Sequence, residues 1–353
     1  MVHTSDFKQR QPWLDIAKGI GITAVVLGHS GSSIAYYLYW FHMPLFFIIS
    51  GYLFKPHEDW ATLSNWLYKR TCQLLIPYLS FLIIIVTVEF YLGNRCFDAY
   101  KVASSFSLNF FPGGKFIGGF YTTFWFITCL YVTQLIFALL HKSIKSHGWC
   151  LIIIAAAYLL AHYESAIADT HPLKIPWDID VALLTLSYYA FGFYAKKMIK
   201  HVHAAVSTLS VAFSIGLLIC GLFGLFSYSI NIKYGTCSHL LMDLVIPIVM
   251  SVALLSISQK CSHLTGNVFA ILGKYSLPVM YLHLPVNIIL HNYLNYNYGY
   301  LSFALIGLVI PTLAGLIFDR FQLTKILLLG CSDIPFIPER ILSWRTIVIY
   351  NTS

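Results

Sequence analysis

WLDIAKGIGITAVVLGHS, residues 13–30, followed by FHMPLFFIISGYLFKP, residues 41–56, decides how this chain folds. Both blocks are apolar and approach the roughly 20 residues that a helix needs to cross a bilayer core. Both also carry groups that lipid excludes: Asp15, Lys18 and His29 in the first, His42 in the second. Ionisable side chains inside such a segment face a protein interior or a water-filled cavity rather than lipid. Their spacing sets the direction: at about 100° per residue, the eleven steps from Lys18 to His29 turn about 1100°, only about 20° past three full turns. Asp15 lies three residues before Lys18, so the three side chains share one face.

The rest of the chain continues this pattern. Of 353 residues 58% are hydrophobic and 10% charged, and the mean hydropathy is +0.73, against about 25% charged residues in soluble domains. Apolar segments recur near 14–31, 38–54, 73–92, 120–140, 149–163, 179–195, 205–227, 240–257, 268–290 and 300–318. The expected fold is therefore an all-α integral membrane protein, a single bundle of about ten transmembrane helices over 1–320 with a membrane-associated tail over 321–353. The first segment carries charges and leads straight into another span, so it is expected to stay as a helix and not to be cleaved as a signal peptide.

The +8 net charge does not point to nucleic acid, because the basic residues cluster at helix ends. With the N- and C-termini cytoplasmic, fifteen of the 22 Lys and Arg residues fall in inner loops and five in outer ones, as the positive-inside rule expects. The eight cysteines form no C-x-x-C pair and read as packing residues, with a Cys96–Cys237 bridge open as an alternative. The outer segment 93–119 is long and Gly-rich; it reads either as the lid of an entrance or as a loose connector.

Along the first helix Lys18 and His29 stand about 16 Å apart at about 1.5 Å per residue, a span comparable to an extended pantetheine arm. A lysine at one end suits nucleotide phosphates, and an imidazole at the other suits general-base work on a hydroxyl. The same residues also fit a snorkelling lysine and a histidine bonded within the bundle. His42, His283 with its neighbour Tyr281, and Trp125 are expected at the same depth as His29, as a substrate-binding surround. Glu89, Asp180 and Asp243 sit at outer helix ends, where they are either solvated or in a position to orient His29 or bind a substrate hydroxyl, and Glu89 joins the expected substrate-binding surround. Lys69 and Arg70 approach the third helix from the inner side, where they could grip phosphates or anchor the helix. No metal is expected at His29, His42 and His283, because no carboxylate is paired with them at ligand spacing.

The two opening blocks, with YKRTCQLLIPY (68–78), WFI (125–127) and LGKYSLPVMYLHLP (272–285), resemble the membrane acyltransferase 3 family, within it the fucose 4-O-acetylase-like branch. The resemblance covers most of the chain. It implies ten or more helices, acetyl-CoA or a related acyl donor supplied from the cytoplasm as co-substrate, and O-acetylation of a bacterial surface glycan or lipid-linked sugar at the inner membrane. The family's Arg-x10-His pattern stands here as Lys18 and His29, which keeps the charge but loses bidentate phosphate binding. Its Arg-x-x-Arg pattern stands as Arg70-Thr71-Cys72-Gln73, without the second arginine. Carried over, the resemblance makes His29 the catalytic histidine, supported by Asp15 and Lys18.

Overall fold

The computed structural model of the protein describes residues 11–92, 99–168, 175–237, 239–263, 267–292 and 298–331, and among these it is helical apart from loops and a single two-residue bridge. The helices are α1 (Pro12–Gly28), α2 (Ala35–Leu38), α3 (His42–Leu53), α4 (Trp60–Leu92), α5 (Ala99–Phe110), α6 (Trp125–Ser143), α7 (His147–Ile167) and α8 (Ile179–Tyr194). They continue as α9 (Lys196–Lys200), α10 (Ala204–Leu222), α11 (Met242–Lys260), α12 (Val268–Lys274), α13 (Ser276–Asn292), α14 (Tyr300–Phe318) and α15 (Gln322–Leu329).

Each of the ten expected segments is helical, but among the described residues only six helices are long and apolar enough to cross a bilayer: α4, α6 with its preceding turn, α7, α10, α11 and α14. The expectation of about ten full crossings is corrected accordingly. The other segments are short or broken. α1 has 17 residues, α3 has 12 and α8 has 16. The predicted second span breaks between α2 and α3, and the ninth breaks at Tyr275 between α12 and α13. These short helices are the central ones, with 11 residues of α1, nine of α3 and ten of α8 buried. α7, α10 and α14 are mostly exposed, presenting the apolar side chains that lipid would cover.

Lipid tails are as apolar as leucine, so helices in a membrane associate through close backbone packing at small residues more than through hydrophobic burial. Two crossings show this. At the first, Gly19 of α1 lies against the Phe269 carbonyl of α12 while Gly273 of α12 lies against the Asp15 carbonyl of α1; a Cβ at either position would overlap those atoms. At the second, Gly51 of α3 meets the Tyr189 carbonyl and Gly192 of α8 meets the Ile48 carbonyl in the same reciprocal way. Side-chain bonds complete the bundle: the Thr133 and Thr185 hydroxyls pair at 2.7 Å between α6 and α8, and Thr123 donates to the Met280 carbonyl of α13 at 2.9 Å.

α4 begins thirteen residues earlier than the hydropathy predicts, because Asp59 caps it, its carboxylate accepting the Thr62 amide at 2.6 Å. α15 begins the tail and packs back on α4, with Leu328 buried and Gly330 in the left-handed conformation against Gln73. Residues 332–353 and Cys96 lie outside the described residues. Cys237 carries a free thiol.

Of the Gly-rich segment 93–119, residues 93–98 lie outside the described residues, Ala99–Phe110 form α5, and the remainder continues into a cap over residues 113–123. Its two 3-10 turns, Gly114–Phe116 and Gly119–Tyr121, are held from the side by Asp178, whose Oδ1 accepts the Lys115 amide at 2.7 Å, and by a Lys115–Asp180 ion pair. Trp177 and Asp178 both adopt positive φ, at 61° and 56°, an uncommon conformation for residues other than glycine that tertiary contacts must hold.

Gly51→Ala and Gly192→Ala are each expected to cost about 1–3 kcal/mol by overpacking, read as a lowered unfolding midpoint in detergent. Gly216→Ala, whose Cβ would meet nothing within 4 Å, is the control and should not lower it. The cap should also respond to pH. Burial pushes the Asp178 carboxyl up from 3.8 to about 7, with the neighbouring Asp180 charge adding to the rise and the Lys115 amide and the Lys115 and Lys233 charges opposing it. A carboxyl that stays protonated longer in the folded state stabilises it below about pH 4, and that contribution is lost as pH rises through about 7. Asp178→Asn should flatten this part of the stability–pH curve, measured by thermal unfolding between pH 4 and 8.

Candidate active site

A cavity of about 390 Å³ runs along the inner face of α1 and is lined by Lys18, Ile22, Val25 and His29. The single-face spacing read from the sequence is thus met in three dimensions. The cation and the imidazole border one space, about three turns of helix apart. α3 supplies the facing wall, with His42, Met43, Phe46, Ile49 and Ser50, and α6 closes the third side with Trp125, Phe126 and Leu130. Its middle is therefore apolar and its two ends are polar.

At one end Lys18 stands 3.1 Å from the Asp15 carboxylate, in a pair with Asp15 buried and the lysine about a third exposed. Arg70 of α4 lines the cavity beside it, lies 5.7 Å above the Trp66 ring centroid and donates to Gln73 at 3.1 Å. The next residue, Lys69, is exposed on α4 and does not border the cavity. Neighbours in a helix point about 100° apart, so only one of the two basic residues can turn inward.

At the other end His29 caps α1. Its ring lies 5.4 Å from that of His283 and 6.4 Å from that of Tyr39, centroid to centroid. Among the described residues no side chain hydrogen-bonds it. His42 Nδ1 lies 2.6 Å from the Leu38 carbonyl and His283 Nδ1 lies 2.8 Å from the Val279 carbonyl. A carbonyl only accepts, so both Nδ1 atoms carry hydrogen and both Nε2 atoms present lone pairs in the neutral ring. His283 Nε2 is buried without a hydrogen-bond partner among the described residues.

The acidic residues expected to orient His29 are engaged elsewhere. Glu89 accepts the Tyr121 hydroxyl at 2.6 Å, Asp180 pairs with Lys115, and Asp243 Oδ2 lies 3.1 Å from His162 Nε2. Tyr281 is fully buried, stacked on Phe81 with centroids 4.6 Å apart, and does not line the cavity. His42 and Trp125 do line it.

Lys233, one of the five basic residues expected in outer loops, borders the His29 end of the cavity. Residues 231–236 form a tight hairpin closed by two backbone bonds between Asn231 and Thr236, with Gly235 at φ 65°. Its tip is Lys233, 9% exposed, whose ammonium donates to the Ile117 carbonyl at 2.9 Å and the Thr122 carbonyl at 3.3 Å. Burial lowers its affinity for a proton and the Asp178 charge partly restores it. Nothing local in NIKYGT (231–236) announces a buried ammonium; the signal lies in carbonyls more than a hundred residues away.

Comparison with known proteins places this geometry. An acyltransferase domain family, acyltransferase 3, matches residues 11–320. Nodulation protein NolL of Mesorhizobium japonicum is 28% identical over 192 residues, covering 51% of this chain and 46% of that protein. The chain thus spans about half the length of this curated relative. No solved structure matches. With the family match running from the first described turn of α1 to the end of α14, across every element that lines the cavity, the chain belongs to the acyltransferase 3 family of membrane-embedded acyltransferases.

Proposed function

We propose that this protein is an O-acetyltransferase that takes an acetyl group from acetyl-CoA and passes it, within the membrane, to a hydroxyl of a surface-glycan sugar. The observation that carries the reading is the single cavity bordered by Lys18 and Arg70 at one end and His29 at the other. In this reading the Lys18 end opens to the cytoplasm, the termini are cytoplasmic and the protein sits in a bacterial inner membrane. The short central helices complete a bundle of about ten segments that only partly span it.

The donor's phosphates lie against Lys18 and Arg70, as charge-assisted contacts. Its pantetheine arm threads past Ile22, Val25 and Leu130, where the apolar wall excludes water. The thioester then meets His29. A sugar hydroxyl attacks the thioester carbonyl as its proton passes to a His29 nitrogen. The tetrahedral adduct collapses with cleavage of the C–S bond, and the imidazolium returns the proton to the CoA thiolate. Formation of an acetyl-His29 intermediate, followed by attack of the sugar, is the two-step form of the same chemistry. In either form His283 is a positioning residue: its ring lies 5.4 Å from that of His29, and its unpartnered Nε2 is the lone pair available to an N–H of His29 once that ring turns to donate, which would leave the other nitrogen facing substrate. The fucose 4-O-acetylase-like branch, and an O-antigen, capsular or lipid-linked acceptor, follow from the sequence resemblance.

Purified protein in detergent, with radiolabelled acetyl-CoA and a glycan acceptor, tests this. His29→Ala should lower kcat by about 10²–10⁴-fold, while Cys261→Ser leaves it unchanged. Lys18→Ala should raise KM for acetyl-CoA by about 10–100-fold, the loss of one charged phosphate contact. Val25→Trp should block transfer without unfolding the protein. Full transfer in His29→Ala would overturn the reading. Lys233→Ala should strip two carbonyls of their donor and cost about 1–3 kcal/mol, read as a lowered unfolding midpoint that Lys233→Arg partly restores.

A further inference from the structure

Away from the cavity, two stretches distant in sequence bring unlike side chains together: His162 in the last turns of α7 meets Cys237, just after the hairpin, and Asp243, six residues further on in the first turn of α11. Their ligand atoms all lie within 4.8 Å of one another. His162 Nδ1 is 3.0 Å from the Tyr158 carbonyl, which only accepts, so that nitrogen carries the hydrogen. In the neutral ring Nε2 then presents a lone pair, and 3.1 Å away it faces the Asp243 Oδ2 carboxylate oxygen, also an acceptor. Two acceptors do not hold each other at that distance, so a cation belongs between them: a proton, making an imidazolium–carboxylate pair, or a metal ion.

We propose that His162, Cys237 and Asp243 form a zinc site that clamps the 231–236 hairpin between α7 and α11. Imidazole, thiolate and carboxylate are a borderline-soft donor set that suits Zn²⁺ and matches its tetrahedral ligation with a fourth position for water. The thiolate and the carboxylate cancel the ion's two charges, so the site as a whole is neutral, as a buried cluster requires. Each ligand is already oriented by an outer contact, the usual partner of a metal ligand. Tyr158 holds the His162 ring, the His239 amide donates to Asp243 Oδ2 at 2.8 Å, and the Cys237 amide donates to Ser165 Oγ at 2.9 Å.

On the Cys237 side the cluster borders a pocket of about 420 Å³, lined by Cys237 and Ser165. A divalent cation held at these atoms displaces the Cys237 thiol proton. The site would set the hairpin that carries Lys233, and it stands independently of the acetyl-transfer reading.

The experiment is metal analysis of full-length protein purified in detergent, without chelator and with any affinity tag removed. About one zinc per chain is expected in the native protein and a loss of at least tenfold in Cys237→Ser, whose near-isosteric change preserves the fold as judged by gel filtration and helical circular dichroism. If zinc is stripped during purification, added Co²⁺ should give a near-ultraviolet thiolate-to-cobalt charge-transfer band that Zn²⁺ displaces and Cys237→Ser lacks. Added Zn²⁺ should also raise the unfolding midpoint of the native protein alone. No co-purified zinc together with no cobalt band overturns the proposal in favour of the bare His162–Asp243 ion pair; zinc retained at full stoichiometry by Cys237→Ser overturns it too.

Discussion

The structure depends on backbone meeting backbone at two glycine crossings. Where Gly19 and Gly273 interlock, α1 and α12 approach until each glycine rests on a carbonyl of its neighbour, and Gly51 with Gly192 does the same for α3 and α8. A methyl group at any of these four places would push the helix axes apart. In a bilayer, where hydrophobic burial hardly distinguishes helix–helix from helix–lipid contact, this approach and the dispersion it gathers supply much of the association energy.

That constraint also explains why α1, α3 and α8, shorter than the lipid-facing helices, are mostly buried. α1, α3 and α8 are too short to act as independent spans, and they persist because longer lipid-facing helices surround them. Locked at their glycine faces, α1 and α3 present their remaining faces to a shared space, and the polar residues that lipid would reject line it or pair beside it. Lys18 pairs with Asp15, Arg70 with Gln73 and a tryptophan face, and His42 with a helical carbonyl. His29 is the exception, bordered by rings and free of side-chain hydrogen bonds among the described residues, which suits a group that exchanges protons with a substrate.

What could be read ahead of the structure followed from periodicity. The Lys18–His29 alignment came from helical geometry alone, and the ten apolar segments each proved helical. The structure separates residues that look alike in the sequence. Lys69 and Arg70 look equivalent in YKRTC, yet only Arg70 reaches the cavity. Glu89 resembles an orienting acid, but the Tyr121 hydroxyl engages it. Tyr281 and His283 are two residues apart, so the helix turns one into an aromatic stack and the other towards His29.

The sequence by itself determined the helical, lipid-adapted class and the one-faced array of charged residues on α1, because hydrophobic runs and a turn of about 100° per residue act over short distances. Only the tertiary structure decided that Lys233 is buried at the cavity's end and that His162, Cys237 and Asp243 converge. Each of those results joins atoms separated by about eighty to more than a hundred residues. Such meetings are set by how the helices cross and where the loops return, and no local pattern in the chain encodes them.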